Sequence, residues 1–165
     1  MDITILNYVQ DHFHNRITDI VFKTLSRIGN GGAVWYGFLL LMIWNPRGKR
    51  YALMMMLSMS FAFLTSQILK PIIGRPRPFV AFPGKQLLIR TPSGYSCPSG
   101  HSSSSFAAAF IVCMASRPLG VPAFLLAFSI AFSRVFLFVH YPSDTIAGSV
   151  LGVLCALLVF TLYGM

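Results

Sequence analysis

Apolar residues run along this chain in blocks, with short polar breaks between them. Residues 33–44, 51–69, 101–116, 121–139 and 144–163 are each dominated by aliphatic and aromatic side chains. The breaks hold Asn45-Pro46, Arg117-Pro118 and His140-Tyr141-Pro142-Ser143, and a longer loop from Lys70 to Gly100 is rich in Pro, Gly and basic residues. A helix needs about 20 apolar residues to cross a bilayer. Block 51–69 is a clear span, whereas block 33–44 is short and must borrow from its flanks. Backbone groups inside hydrocarbon must bond internally, so the spans are expected to be helical. The pattern predicts an all-α, integral-membrane bundle of about five transmembrane helices.

The first thirty residues read differently. Ile5, Leu6, Val9 and Phe13 recur at helical spacing, with Asn7, Gln10 and Asp11 between them. An interfacial amphipathic helix fits this pattern, and so does a helix packed against the bundle. A second such piece runs from Ile17 to Ile28, and Gly29-Asn30-Gly31-Gly32 breaks it. With no internal repeat and no long linker, residues 1–165 read as one domain. Residues 1–30 form its interfacial segment and 70–100 its site loop.

Alternating spans put Lys70, His101, His140 and Asp144 on one side of the membrane. The loop on the other side carries Arg47, Lys49 and Arg50, which marks it as cytoplasmic. The polar side is then extracytoplasmic, on a multi-pass protein of the cytoplasmic membrane. The N-terminus shows no basic n-region and no cleavage site, so the first span is expected to target the chain.

Composition supports the bilayer reading. Apolar residues make up 55% of the chain and charged residues only 10%, against roughly 25% charged in soluble domains. The net charge is +9, but the cations sit in short segments between apolar blocks. That distribution argues against a nucleic-acid partner, which needs a solvated basic face. Cys97, Cys113 and Cys155 show no C-x-x-C spacing, and two of them lie in apolar blocks.

Three short patterns carry candidate chemistry, all on the polar side. The first is Lys70, six residues, then Arg77-Pro78. The second is Pro98-Ser99-Gly100-His101. The third is Ser133-Arg134, five residues, His140, three residues, Asp144. Arginine offers a planar fork to phosphate oxygens, and lysine adds a point charge. Anchoring to lipid headgroups is the plainer alternative for such cations, and for Arg75 and Lys85 it is at least as good a reading. Ser99-Gly100-His101 opens a helix, where free N–H groups favour an anion. A carboxylate such as Asp144 can fix the tautomer of His140 and leave its other nitrogen free to attack. His101 can then protonate a leaving oxygen. Two histidines and an aspartate could instead be metal ligands, but three neighbouring cations would repel a divalent ion. His12 and His14 read as surface residues.

Together these patterns resemble the tripartite signature of the type 2 phosphatidic acid phosphatase family, which shares its site with vanadium haloperoxidases. Every signature position matches, from Lys70 to Asp144. The resemblance implies that His140 forms a phosphohistidine, that Asp144 orients it, and that His101 protonates the leaving group. It implies that Lys70, Arg77, Ser99, Gly100 and Arg134 bind the phosphoryl oxygens, with no metal and no cofactor, and that vanadate inhibits. The implied partner is a membrane lipid phosphate, foremost undecaprenyl diphosphate in cell-wall synthesis, with phosphatidylglycerophosphate and phosphatidate next. A phosphotransferase, or a non-catalytic lipid-phosphate binding or transport component, is the alternative. The oligomeric state is left open.

Overall fold

The structure is a computed structural model, and it describes residues 1–44 and 46–164. Among the described residues the regular elements are all helical: α1 (Asp2–His12), α2 (Arg16–Gly29), a 3-10 turn (Asn30–Gly32), α3 (Ala33–Ile43), α4 (Pro46–Ile73), the short α5 (Pro78–Ala81), α6 (Gly100–Ala115), α7 (Arg117–Phe136) and α8 (Pro142–Gly164). Each of the five apolar blocks becomes one helix, α3, α4, α6, α7 or α8. Asn45, in one of the predicted breaks, lies outside the described residues.

Helix ends differ from the hydropathy pattern for local reasons. α7 begins at Arg117 rather than Val121, because Pro118 sits in the first turn, where its missing N–H costs nothing. Pro142 opens α8 two residues early for the same reason. α4 continues past Leu69, so Lys70 lies in its last turn. Gly74 then adopts φ +65° and its N–H donates to the Lys70 carbonyl at 2.9 Å, which closes the helix.

Three helices, α4, α7 and α8, are long and apolar enough to cross a membrane. α6 has 16 residues, or about 24 Å, less than the roughly 30 Å of hydrocarbon. It is wrapped by α4, α7 and α8 instead, and Ser102 to Ala109 are all buried. Its serines are satisfied locally: Ser103 and Ser104 hydroxyls donate to the Gly100 carbonyl at 3.1 and 3.0 Å, and Trp35 Nε1–H donates to Ser105 at 3.1 Å. α3 stays short because Gly31 and Gly32 take positive φ and block extension toward α2.

α8 meets α6 through a small-residue seam. A Cβ on Gly148 would stand 2.5 Å from the Ser99 carbonyl oxygen, and one on Gly152 would stand 2.2 Å from that of Ser103. Glycine alone allows this approach, and close backbone approach is what drives helix association in lipid.

α1 and α2 pack on α7. Leu6 and Val9 are buried against Val135, Phe136 and Phe138, and the Gln10 side chain donates to the Phe136 carbonyl at 2.8 Å. Packing on the bundle is therefore what α1 does. Ile17, Ile20 and Val21 of α2 remain exposed, an apolar face that suits a bilayer interface.

Candidate active site

The site is built where the ends of α4, α6, α7 and α8 meet. The turn after α7 presents His140. Phe138 takes φ +59° there, an unusual conformation for a bulky residue, held by its buried side chain. This lets the N–H groups of Val139 and His140 both donate to the Arg134 carbonyl, each at 3.2 Å. Arg134 and His140 are thus fixed relative to one another by the main chain.

Tyr141 then stands immediately before α8. The Asp144 carboxylate reaches back to accept the Tyr141 N–H at 2.9 Å, as an acidic residue at the third helical position does. Its other oxygen accepts from Arg75 at 2.7 Å. The Asp144 carbonyl accepts the Ser99 N–H at 3.0 Å, which ties the start of α6 to the start of α8. Ser99 caps α6: its hydroxyl oxygen accepts from the N–H and hydroxyl of Ser102 at 3.4 and 3.0 Å. With Ser99 accepting both bonds, its own proton is free for an incoming oxygen.

Arg77 is buried and held by main chain on three sides. It donates to the carbonyls of Gly94 at 2.8 Å, Ser93 at 3.1 Å and Val139 at 3.0 Å. Its Nη1 also lies 3.2 Å from His140 Nε2. Guanidinium can only donate, so Nε2 presents a lone pair to it. The proton of a neutral ring then sits on Nδ1, which faces Asp144 Oδ2 at 3.6 Å. That separation exceeds a hydrogen bond, and Nδ1 is otherwise unpartnered. A closure of a few tenths of an ångström would make the bond. Burial pushes the His140 imidazole down to about 4, Arg134 and Arg77 add to the effect, and Asp144 opposes it. The ring is therefore neutral at ordinary pH, with its Nε2 lone pair aimed at the Arg77 guanidinium.

Arg134 is buried, bonds the Ser26 hydroxyl on α2, and keeps an unpartnered Nε. His101 Nε2 pairs with the Asn30 side-chain oxygen at 2.8 Å. Gly100 faces α4, where a Cβ would stand 3.4 Å from Ser66 and Gln67. Lys70 follows one turn further along α4 and is half-buried. All eight residues singled out by the three sequence patterns thus sit at these adjoining helix ends. Among the described residues no three His, Cys, Asp or Glu side chains gather as a metal set.

Four further residues support the site without a local sequence signal: Asp2, Ser26, Asn30 and Arg75. Asp2 and Arg75 pair at 2.8 Å. Asp2 also accepts the Ser143 N–H at 3.1 Å, at the opening of α8, and the Arg75 guanidinium stacks 3.9 Å over Tyr141. Acid from α1 thereby steadies the cation that holds Asp144.

Two cavities meet at His101. One, of about 260 Å³, is mainly apolar and lined by Leu39, Met56, Met59 and Phe63. The other, of about 600 Å³, is polar and includes Arg134 in its wall. A buried neutral imidazole backed by a carboxylate, two buried arginines and a capped helix start form an arrangement suited to phosphoryl transfer, which needs positioning and charge stabilisation more than covalent chemistry.

Known proteins share this architecture. The chain is 34% identical to the bacitracin transport permease protein BcrC of Bacillus licheniformis over 73% of its own length, and it spans 61% of that protein. It is 25% identical to the undecaprenyl-diphosphatase BcrC of Bacillus subtilis, covering 89% of this chain and 76% of that one. The crystal structure of Aquifex aeolicus LpxE superposes with a TM-score of 0.84 at 21% identity, covering 97% of this chain and 94% of that one. Residues 48–165 match the PAP2 superfamily, a range that takes in the three sequence patterns and all four helix ends of the site, so the chain belongs to the PAP2 superfamily.

Proposed function

We propose that this chain is a membrane lipid phosphatase, one catalytic domain throughout, that cleaves a phosphate from its substrate through a phosphohistidine. The observation that carries this is the neutral, buried His140 between Asp144 and Arg77. His140 Nε2 attacks the terminal phosphorus. The bond to the leaving oxygen breaks, its electron pair stays on that oxygen, and His101 supplies the proton. Asp144 offsets the charge the imidazole gains. Lys70, Arg77, Arg134, Ser99 and the N–H groups at Gly100 stabilise the phosphoryl oxygens. Water then attacks phosphorus and gives a proton to His101, and the P–N electron pair returns to Nε2.

Undecaprenyl diphosphate is the substrate favoured by the similarity to a protein of that named activity. Phosphatidylglycerophosphate and phosphatidate are the competing substrates. The site end is assigned to the extracytoplasmic face of the cytoplasmic membrane, because Arg47, Lys49 and Arg50 lie at the start of α4, at the opposite end of the bundle. Labelling Gln86→Cys, at an exposed position of the site loop, with a membrane-impermeant maleimide in intact cells of a Cys97→Ser background checks that orientation, and protection relieved only by permeabilisation would reverse it.

The test of function is phosphate release by purified protein in detergent with EDTA present, on the three lipids, beside His140→Ala. Release by wild type alone supports the histidine mechanism. Equal release by the variant removes His140 from it, and no release from any lipid removes the substrate assignments. A lipid-phosphate binder would keep its ligand affinity and release nothing.

A further inference from the structure

The polar cavity beside His101 contains more positive charge than the phosphohistidine chemistry uses. Lys23 and Arg27 reach it from α2, one turn apart and on one helix face. Arg90 reaches it from the loop between α5 and α6. No Asp or Glu lines the cavity, and none of these three cations has a carboxylate partner among the described residues. All three side chains are exposed, so they ring the mouth of a cavity of about 600 Å³ with positive charge that an entering anion meets first. The cavity wall also includes Arg134, whose buried Nε has no partner. Ser26 bonds the Arg134 guanidinium and so fixes α2 against the site. Lys23 and Arg27 both precede residue 48, where the match to the superfamily begins.

The cavity adjoins His101 and Arg134, and His140 is not in its wall. In the proposed mechanism His101 protonates the leaving oxygen, so the cavity lies on the leaving-group side. We infer that Lys23, Arg27 and Arg90 form a second anion subsite that holds the phosphate of the leaving group, which makes lipid diphosphates the preferred substrate class over lipid monophosphates. The inference rests on the phosphatase reading. For a diphosphate, the bond that breaks joins the terminal phosphorus to the bridging oxygen. The electron pair stays on that oxygen, which remains part of the departing lipid monophosphate. The three cations stabilise the charge that accumulates there. A monophosphate substrate has an alcohol oxygen at this position and nothing for them to grip.

The test compares farnesyl diphosphate with farnesyl phosphate, which share a chain and differ in the second phosphate. Wild type and the Lys23→Gln/Arg27→Gln/Arg90→Gln protein are measured for kcat/KM on both. The ratio of diphosphate to monophosphate is expected to fall at least tenfold in the triple variant, on the scale of charge-assisted bonds to phosphate. An equal fall on both substrates, or an unchanged ratio, overturns the inference. Weaker inhibition by orthophosphate with an unchanged ratio would assign the cations to free phosphate and also overturn it. Binding is measured separately in His140→Ala protein, with farnesyl methylenediphosphonate and farnesyl phosphonate as probes. A preference for the diphosphonate that the three substitutions abolish supports the subsite, and equal affinities count against it. Should wild type hydrolyse neither lipid, the phosphatase reading fails, while the binding arm still decides the subsite.

Discussion

Gly152→Ala should damage catalysis from within the membrane, far from any charged group. The added Cβ would lie 2.2 Å from the Ser103 carbonyl oxygen, 3.0 Å from its carbon and 3.1 Å from the Ala107 nitrogen. Those atoms are helix backbone and cannot rotate away, so α6 and α8 must separate by about 1 Å at the seam. Overpacking of this kind costs about 1–3 kcal/mol. The strain also reaches the site, because α6 carries Ser99 and α8 carries Asp144, joined by a 3.0 Å hydrogen bond. A misplacement of about 1 Å lowers turnover by roughly 100-fold. The assay is kcat/KM on undecaprenyl diphosphate together with the melting midpoint in detergent. Gly37→Ala is the control, since no atom lies within 4 Å of its added Cβ, and it should behave as wild type. Activity of Gly152→Ala within twofold of wild type, with an unchanged midpoint, would refute the seam as the element that sets site geometry.

Three other outcomes follow from the site. Burial holds the His140 pKa near 4 against 6.5 for a free imidazole. The neutral nucleophile should persist as pH falls, so a pH–rate profile should show its acid limb below pH 5. The same depression makes protonation unfavourable in the folded state, so stability is lost as pH falls from 6.5 toward 4, by about 3 kcal/mol in all. Melting midpoints of wild type and His140→Gln across that range check it, and parallel curves would contradict it. Asp2→Asn removes the charge that steadies Arg75. Turnover should fall several-fold with KM little changed, and Asp2→Glu should restore part of it. An effect on KM alone would show that Asp2 does not act through Asp144. Arg77→Lys keeps a charge but cannot bond Ser93, Gly94 and Val139 together. It should lose about 100-fold in kcat, and a loss below threefold would mean that point charge alone suffices.

The helices were legible because apolar blocks and their Pro and Gly breaks are local signals. All five blocks fold as helices, three of them long and apolar enough to cross a membrane, and the starts of α7 and α8 shifted at prolines whose place in a first turn is chemically ordinary, while α4 ran on to a glycine stop. The three motifs were legible for a related reason: each is short, and alternating spans bring them to one side. The seam of Gly148 and Gly152 had a signal too, two glycines four apart in an apolar block. What the sequence does not display is the support from the first thirty residues. Asp2 meets Ser143, Ser26 meets Arg134 and Asn30 meets His101. No periodicity links such partners, and only the docking of α1 and α2 on α7 brings them together. For the same reason Arg75, for which headgroup anchoring is at least as good a reading on sequence grounds, becomes a ligand of Asp144 once the chain is folded.

The loop that follows α5 is bolted to a buried cation of the candidate site. Ser93 and Gly94 both accept from the Arg77 guanidinium, whose third nitrogen contact is His140. Lifting this segment would break two charge-assisted bonds and leave the cation that faces His140 held by the Val139 carbonyl alone. At roughly 1.5 kcal/mol or more for each bond, a lifted loop would be populated less than about 1% of the time. Opening the loop and loosening the site cation are then a single event. In the proposed phosphatase this would leave water little chance to intercept the phosphoryl group before the site is closed. Exchange of the Ser96 N–H, which donates to the Arg75 carbonyl at 2.9 Å at the end of this loop, should accordingly be slow in wild type and quicken in Arg77→Lys; fast exchange in wild type would show the loop moving independently of the charge.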